Sequence, residues 1–189
     1  MPGKGTKMKS QLGTRENLVL SLTFVVVVLT TSIILGTVSW SADYPTSSVP
    51  PIIIAPVDIK PGYCPNPLEV YGRGDVSVAI LGTEELDVSE IARDSVRLQE
   101  IAPLRSEKRD VARPFRLYKW QVSGDKVKAD YCTDEGPDGK LDLVLYFSKE
   151  EILKAVGSTR DGDVLVLRVT ARHKSGAPIV GQDVVVIQK

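Results

Sequence analysis

Histidine is nearly missing from this sequence: His173 is the only one in 189 residues. A multi-histidine metal centre is therefore excluded, and a Ser-His-Asp triad would have to be built on His173. That residue stands beside Lys174 in a turn-forming stretch and reads as a solvated loop residue, with no G-x-S-x-G elbow elsewhere. Cysteine is equally scarce. Cys64 and Cys132 are the only two, without a C-x-x-C pair, so zinc-ribbon ligand sets are excluded as well. A sustained basic run is also lacking. Lys plus Arg and Asp plus Glu balance at 24 each, but Lys4, Lys7, Lys9 and Arg15 against Glu16 leave 20 basic and 23 acidic side chains for residues 43–189. That part is mildly acidic and a poor partner for nucleic acid. Carboxylate pairs such as Glu84/Glu85 and Glu150/Glu151 are neighbours in sequence, whereas glycosidase chemistry needs two carboxylates facing each other across a cleft. No enzyme is expected.

What the chain does have begins with residues 18–38, a run of 21 uncharged residues that follows the basic segment and precedes Ser39-Trp40-Ser41-Ala42. Ser39 and Ser41 are small residues at the spacing of a signal-peptidase site, so residues 1–42 read as a cleaved signal peptide. The run is also long enough for an apolar helix spanning a bilayer, about 20 residues, although Ser21, Thr23, Thr30, Thr31 and Ser32 dilute it. A retained membrane anchor is the alternative, and Met8 is a second candidate start. The basic flank holds the N-terminus in the cytoplasm in either case. The rest is expected to be exported: secreted, periplasmic or anchored at the cell surface. Residues 43–56 carry Pro45, Pro50, Pro51 and Pro56 and read as an extended linker. Ile52-Ile53-Ile54 is its exception, either an edge strand or a patch laid on the domain.

Residues 57–189 read as one domain of about 130 residues, sufficient for a single core. Short strands are expected at 57–60, 68–71, 76–81, 95–101, 141–147, 163–171, 178–180 and 183–187, many of them with period-two alternation. In 76–81, Val76, Val78 and Ile80 share a face. In 141–147, Leu141, Leu143, Leu145 and Phe147 do so, with Val144 and Tyr146 opposite. Residues 103–114 read as charged and irregular, and 115–122 as a strand that would place Arg116, Tyr118 and Trp120 on one face. Ser148 and Glu151 form a capping box for one short helix, with Gly157 closing it. The fold expected is an all-β antiparallel β-sandwich of Ig-like or Greek-key type with one short helix. In an oxidising compartment Cys64 and Cys132 pair, closing a loop of about 68 residues worth about 4 kcal/mol; two free buried thiols are the alternative.

The chemistry-bearing stretch is Cys132 to Asp142. Asp134, Asp138, Gly139 and Asp142 fit positions 1, 5, 6 and 9 of an EF-hand-type Ca²⁺ loop, with the Lys140 carbonyl at position 7. Position 3 is Gly136 and position 12 is Leu145, so two ligands are lacking and the alternative is an acidic turn. The Arg116, Tyr118 and Trp120 face could stack on a sugar ring, or belong to core or interface. Arg73-Gly74-Asp75 spells an adhesion tripeptide but needs no function beyond a turn.

The order of several motifs resembles a group of essentially uncharacterised bacterial and archaeal secreted domains. They are Val57-Asp-Ile-Lys-Pro-Gly62, Cys64-Pro-Asn-Pro-Leu68, Val78-Ala-Ile-Leu-Gly-Thr83, Asp94-Ser-Val-Arg-Leu98, Ile101-Ala-Pro-Leu-Arg105, Glu135-Gly-Pro-Asp-Gly139 with Leu141-Asp-Leu143, and the closing Pro178 to Ile187. The resemblance spans residues 57–187 and implies a cell-surface module with no carried-over activity. It also implies a split loop: members carry an uninterrupted acidic loop, whereas here Asp110-Val111 matches its start and residues 137–142 its end. The first ligand would then be Asp110 in place of Asp134. The expectation is thus an exported interaction or structural module with a Ca²⁺ loop, partnered by a surface protein or glycan. The alternative is a carbohydrate-binding module using Arg116, Tyr118 and Trp120.

Overall fold

The structure, a computed structural model, describes residues 50–121 and 128–189, with only the backbone of Trp120 and Gln121. The N-terminal apolar segment, the first half of the linker (43–49) and the turn expected at 123–126 lie outside the described residues.

Two sheets face each other across one core. In the first, β2 (Val57–Ile59), β4 (Asp75–Ile80), β7 (Asp142–Ser148) and β6 (Arg105–Arg109) lie side by side in that order, all antiparallel. In the second, β9 (Pro178–Gln188) pairs with β8 (Val164–Arg172), and β8 with the short β5 (Arg97–Leu98). The outer edge of β9 is shared by β1 (Ile53–Ile54) and β3 (Pro67–Glu69), both parallel to it. The isoleucine run of the linker is therefore an edge strand, and the sandwich begins upstream of Val57.

The alternation predicts the layers well. Val76, Val78 and Ile80 from β4 meet Leu143, Leu145 and Phe147 from β7, and Leu167 and Val169 from β8, in one buried cluster. Side chains on the opposite face of β4 and β7 form a second, smaller cluster of Ala79, Leu81 and Val144, which Ala112 covers. Helix α2 (Lys149–Val156) starts as the capping box requires, with the Ser148 hydroxyl accepting the Glu151 N–H at 3.4 Å. Gly157 closes it at φ 76°, a conformation suited to glycine.

Five expectations change. The strand expected at 95–101 shrinks to Arg97–Leu98, because the backbone turns at Gln99 and Glu100, φ 46° and 66°, and Ile101 folds back onto Leu98. Residues 178–180 and 183–187 are one strand, because Gly181 continues the ladder where a side chain would collide: a Cβ there would lie 2.4 Å from Val57 Cγ2 and 2.6 Å from the Ala55 carbonyl oxygen. Residues 105–109 form edge strand β6, hidden in the sequence by charges that suit an exposed sheet edge. Leu141 is 58 % exposed, since the strand begins only at Asp142 and position 141 lies beyond the core layer. Residues 115–122 do not form a strand in their described part: the Phe115 carbonyl accepts the Tyr118 N–H at 3.0 Å, and one helical turn, α1 (Tyr118–Gln121), follows. No ladder partner runs along this stretch, so the backbone bonds locally. The extended backbone that a shared strand face of Arg116, Tyr118 and Trp120 requires is therefore not formed in residues 115–121.

Candidate functional site

Between β6 and β7 the chain makes a long excursion over the outer face of the first sheet, and the candidate site lies along it. Asp142, the first residue of β7, is fully buried. One carboxylate oxygen accepts the Gly82 N–H at 2.9 Å; the other accepts the Val111 and Ala112 N–H groups at 2.8 and 3.3 Å. Burial pushes its pKa up against these three bonds, which pull it down. Asp142 thus ties the end of β4 and the start of the excursion to β7.

The split loop comes together in space. The two Asp110 carboxylate oxygens accept the Asp138 N–H at 3.1 Å and the Gly139 N–H at 2.7 Å, although 28 and 29 residues separate these partners. Asp138 in turn accepts the Lys140 N–H at 3.0 Å. Gly139 makes the bend at φ 93°. Asp110, Asp138 and Asp142 thus belong to one assembly, each accepting backbone amides. Asp134 is exposed and no hydrogen bond ties it to them. Among the described residues no group of three or more His, Cys, Asp or Glu side chains converges as a metal shell would.

The excursion is pinned at several points. Cys64 and Cys132 form the disulfide, and both cysteines are thereby consumed. Glu85 pairs with Lys119 at 2.9 Å and Glu135 with Arg113 at 3.1 Å. Arg116 and Tyr118 do meet the acidic loop: together with Glu84, Pro114, Asp138 and Lys140 they line a shallow depression of about 400 Å³. Arg73 and Gly74 line a separate depression of about 430 Å³ beside the start of α2. His173 bonds Ser175 across its turn at 2.8 Å.

A scan against protein-family models, a search of curated proteins and a search of solved structures each return no match to this chain.

One group of residues escaped the sequence reading. Asp58 in β2 and Asp183 in β9 are 1 % and 2 % exposed, and Asn66 is fully buried. Asp183 lies in the inward row of β9 beside Val185 and Ile187, where it meets the open edge of β2. It accepts the Ile59 N–H at 2.8 Å and the Asn66 side-chain amide at 2.7 Å on the same oxygen, and the Val184 N–H at 2.8 Å on the other. A carboxylate therefore stands in for the next strand along that edge. Asp58 has no such partners. Burial, with Asp183 and Asp142 nearby, pushes its pKa up to about 8; burial raises Asp183 to about 7. The available signal was an aspartate inside each of two otherwise apolar strands, Val57-Asp-Ile and Asp183-Val-Val-Val.

Proposed function

We propose that this chain is an exported, non-catalytic module of the cell surface, whose sandwich presents a disulfide-clasped excursion to a partner molecule. The observation that carries the reading is the Cys64–Cys132 bridge, which joins the first turn of the domain to the excursion. Such bridges persist in oxidising compartments and are rare in the cytosol. The basic and then apolar N-terminal sequence, and the resemblance of residues 57–187 to secreted domains, point the same way. The non-catalytic part is supported by the depression beside the acidic loop, where Glu84 and Glu85 pair with Lys140 and Lys119 and Asp138 holds the Lys140 amide. The loop carboxylates are read as hydrogen-bond anchors, so Ca²⁺ there would have to share them with the amides they hold.

Thiol labelling of cells that make the full chain tests the reading. Both cysteines should resist a maleimide until reductant is added, and protease applied outside the cytoplasmic membrane should digest the domain. Free thiols in a protease-protected chain would overturn it. A glycan array tests the sugar-binding alternative: saturable binding that Trp120→Ala abolishes would make the chain a carbohydrate-binding module.

A further inference from the structure

We propose that the buried corner formed by Asp58 and Asn66, beside Asp183, is a binding site for a hard divalent cation of the Ca²⁺ type. This site is distinct from the acidic loop. Both carboxylate oxygens of Asp58 and the side-chain carbonyl oxygen of Asn66 are buried and reached by no hydrogen-bond donor. Asp183 stands next to both: it accepts Asn66 Nδ2 at 2.7 Å and the N–H of Ile59, the residue after Asp58, at 2.8 Å on the same oxygen, and among the nearby charges it acts most strongly on the Asp58 carboxyl. The orientation of the Asn66 amide is also settled, because Nδ2 donates at 2.8 Å to a second acceptor, the Val184 carbonyl. Its oxygen is thereby left as a free acceptor.

Three free acceptors and no donor form an unusual set. A buried carboxylate without a partner is strongly disfavoured, and here the nearby charges, Asp183 and Asp142, have the same sign. A proton on Asp58 would neutralise one charge and supply a single donor for Asn66. A divalent cation satisfies all three oxygens at once and offsets the charges of both Asp58 and Asp183. The three N–H donors favour the carboxylate form of Asp183 while burial opposes it, and a cation beside it would offset that charge as well. The ligand chemistry is all oxygen, without nitrogen or sulfur, which selects hard cations over zinc or copper. Ca²⁺ tolerates irregular sets of about six to eight oxygens, whereas Mg²⁺ gives up its waters reluctantly. The remaining ligands fall to backbone carbonyls and water. The consequence is mechanical: the cation would bond β2 to the Cys64–Pro67 turn, next to the carboxylate that joins β2 to β9.

The test uses the purified full chain stripped with chelator, titrated with Ca²⁺, Mg²⁺ and Na⁺ and followed by thermal unfolding and calorimetry. Millimolar Ca²⁺ should raise the unfolding midpoint more than Mg²⁺ does at the same concentration, and Na⁺ at matched ionic strength should leave it unchanged. Asp58→Asn should remove the Ca²⁺ shift, and Asp138→Asn, in the acidic loop, should retain it. Should Asp58→Asn fail to fold, the Asp110→Asn/Asp138→Asn double variant decides: with both loop carboxylates removed, calorimetry should still show one Ca²⁺ bound per chain. No Ca²⁺ shift in the wild-type chain, a shift that survives Asp58→Asn, or loss of Ca²⁺ binding in the loop double variant would each overturn the site and leave a proton or water as the occupant.

Discussion

Replacing Asp142 by Asn separates an anchor from a metal ligand. The Asp142 carboxylate accepts three N–H groups, from Gly82, Val111 and Ala112, at 2.9, 2.8 and 3.3 Å, while fully buried. Asn has one acceptor oxygen and sets an NH₂ group against the remaining amides. At least one buried N–H then loses its acceptor, which costs about 1–3 kcal/mol, and the bonds that survive lose their ionic character, about 1 kcal/mol more. Relief from burying a charge offsets part of this, leaving a net loss of about 2 kcal/mol. For a domain of this size that corresponds to a fall in Tm of about 7 °C. Urea unfolding followed by circular dichroism, with Ca²⁺ and separately with chelator, gives the number directly. The loss should be equal in both conditions, because the bonds are to amides. A change below about 1 kcal/mol would refute the anchoring role, and a loss confined to the Ca²⁺ series would make Asp142 a metal ligand.

Three other outcomes are expected. Gly181→Ala should destabilise by about 2–3 kcal/mol, since its Cβ would press within 2.6 Å of the Ala55 carbonyl oxygen, a backbone atom with little freedom to retreat; an unmoved urea midpoint would contradict that packing. Reduction of Cys64–Cys132, with a sequence separation of 68, should lower stability by about 4 kcal/mol through loop entropy, checked by unfolding with and without reductant. In chelator, stability should fall as pH rises between about 4 and 8. Asp58 and Asp183 have folded pKa values of about 8 and about 7, against 3.8 for the ordinary carboxyl, so the folded state holds protons that the unfolded chain has released. Their contribution is complete below the ordinary value and is lost as pH climbs through the folded values, with a slope of at most about 1.4 kcal/mol per unit for each group. Asp58→Asn should flatten the profile and raise stability at pH 8; a profile as steep as that of the wild type would remove Asp58 as its source.

Local sequence by itself determined the alternating strands and the helix start. In β4, β7 and β8 the side chains at every second position enter the core, and a sheet buried on one side imposes that period on any sequence that forms it. The Ser148 cap works at similarly short range, within one turn of helix. The two cysteines were legible for a different reason: with only two, one intramolecular bridge is possible.

Tertiary structure alone decided the rest. Residues 105–109 became a strand because β7 offered them an edge, and 115–121 did not because no ladder ran beside them. In the acidic stretch read as a Ca²⁺ loop the carboxylates take partners about 30 residues away: Asp110 holds Asp138 and Gly139, and Asp142 holds Val111 and Ala112. A carboxylate in sequence is only a negative charge. Whether amides or other carboxylates surround it depends on which chain segments fold against it, and that is why Asp142 holds three amides while Asp58 lies near Asp183 and Asp142.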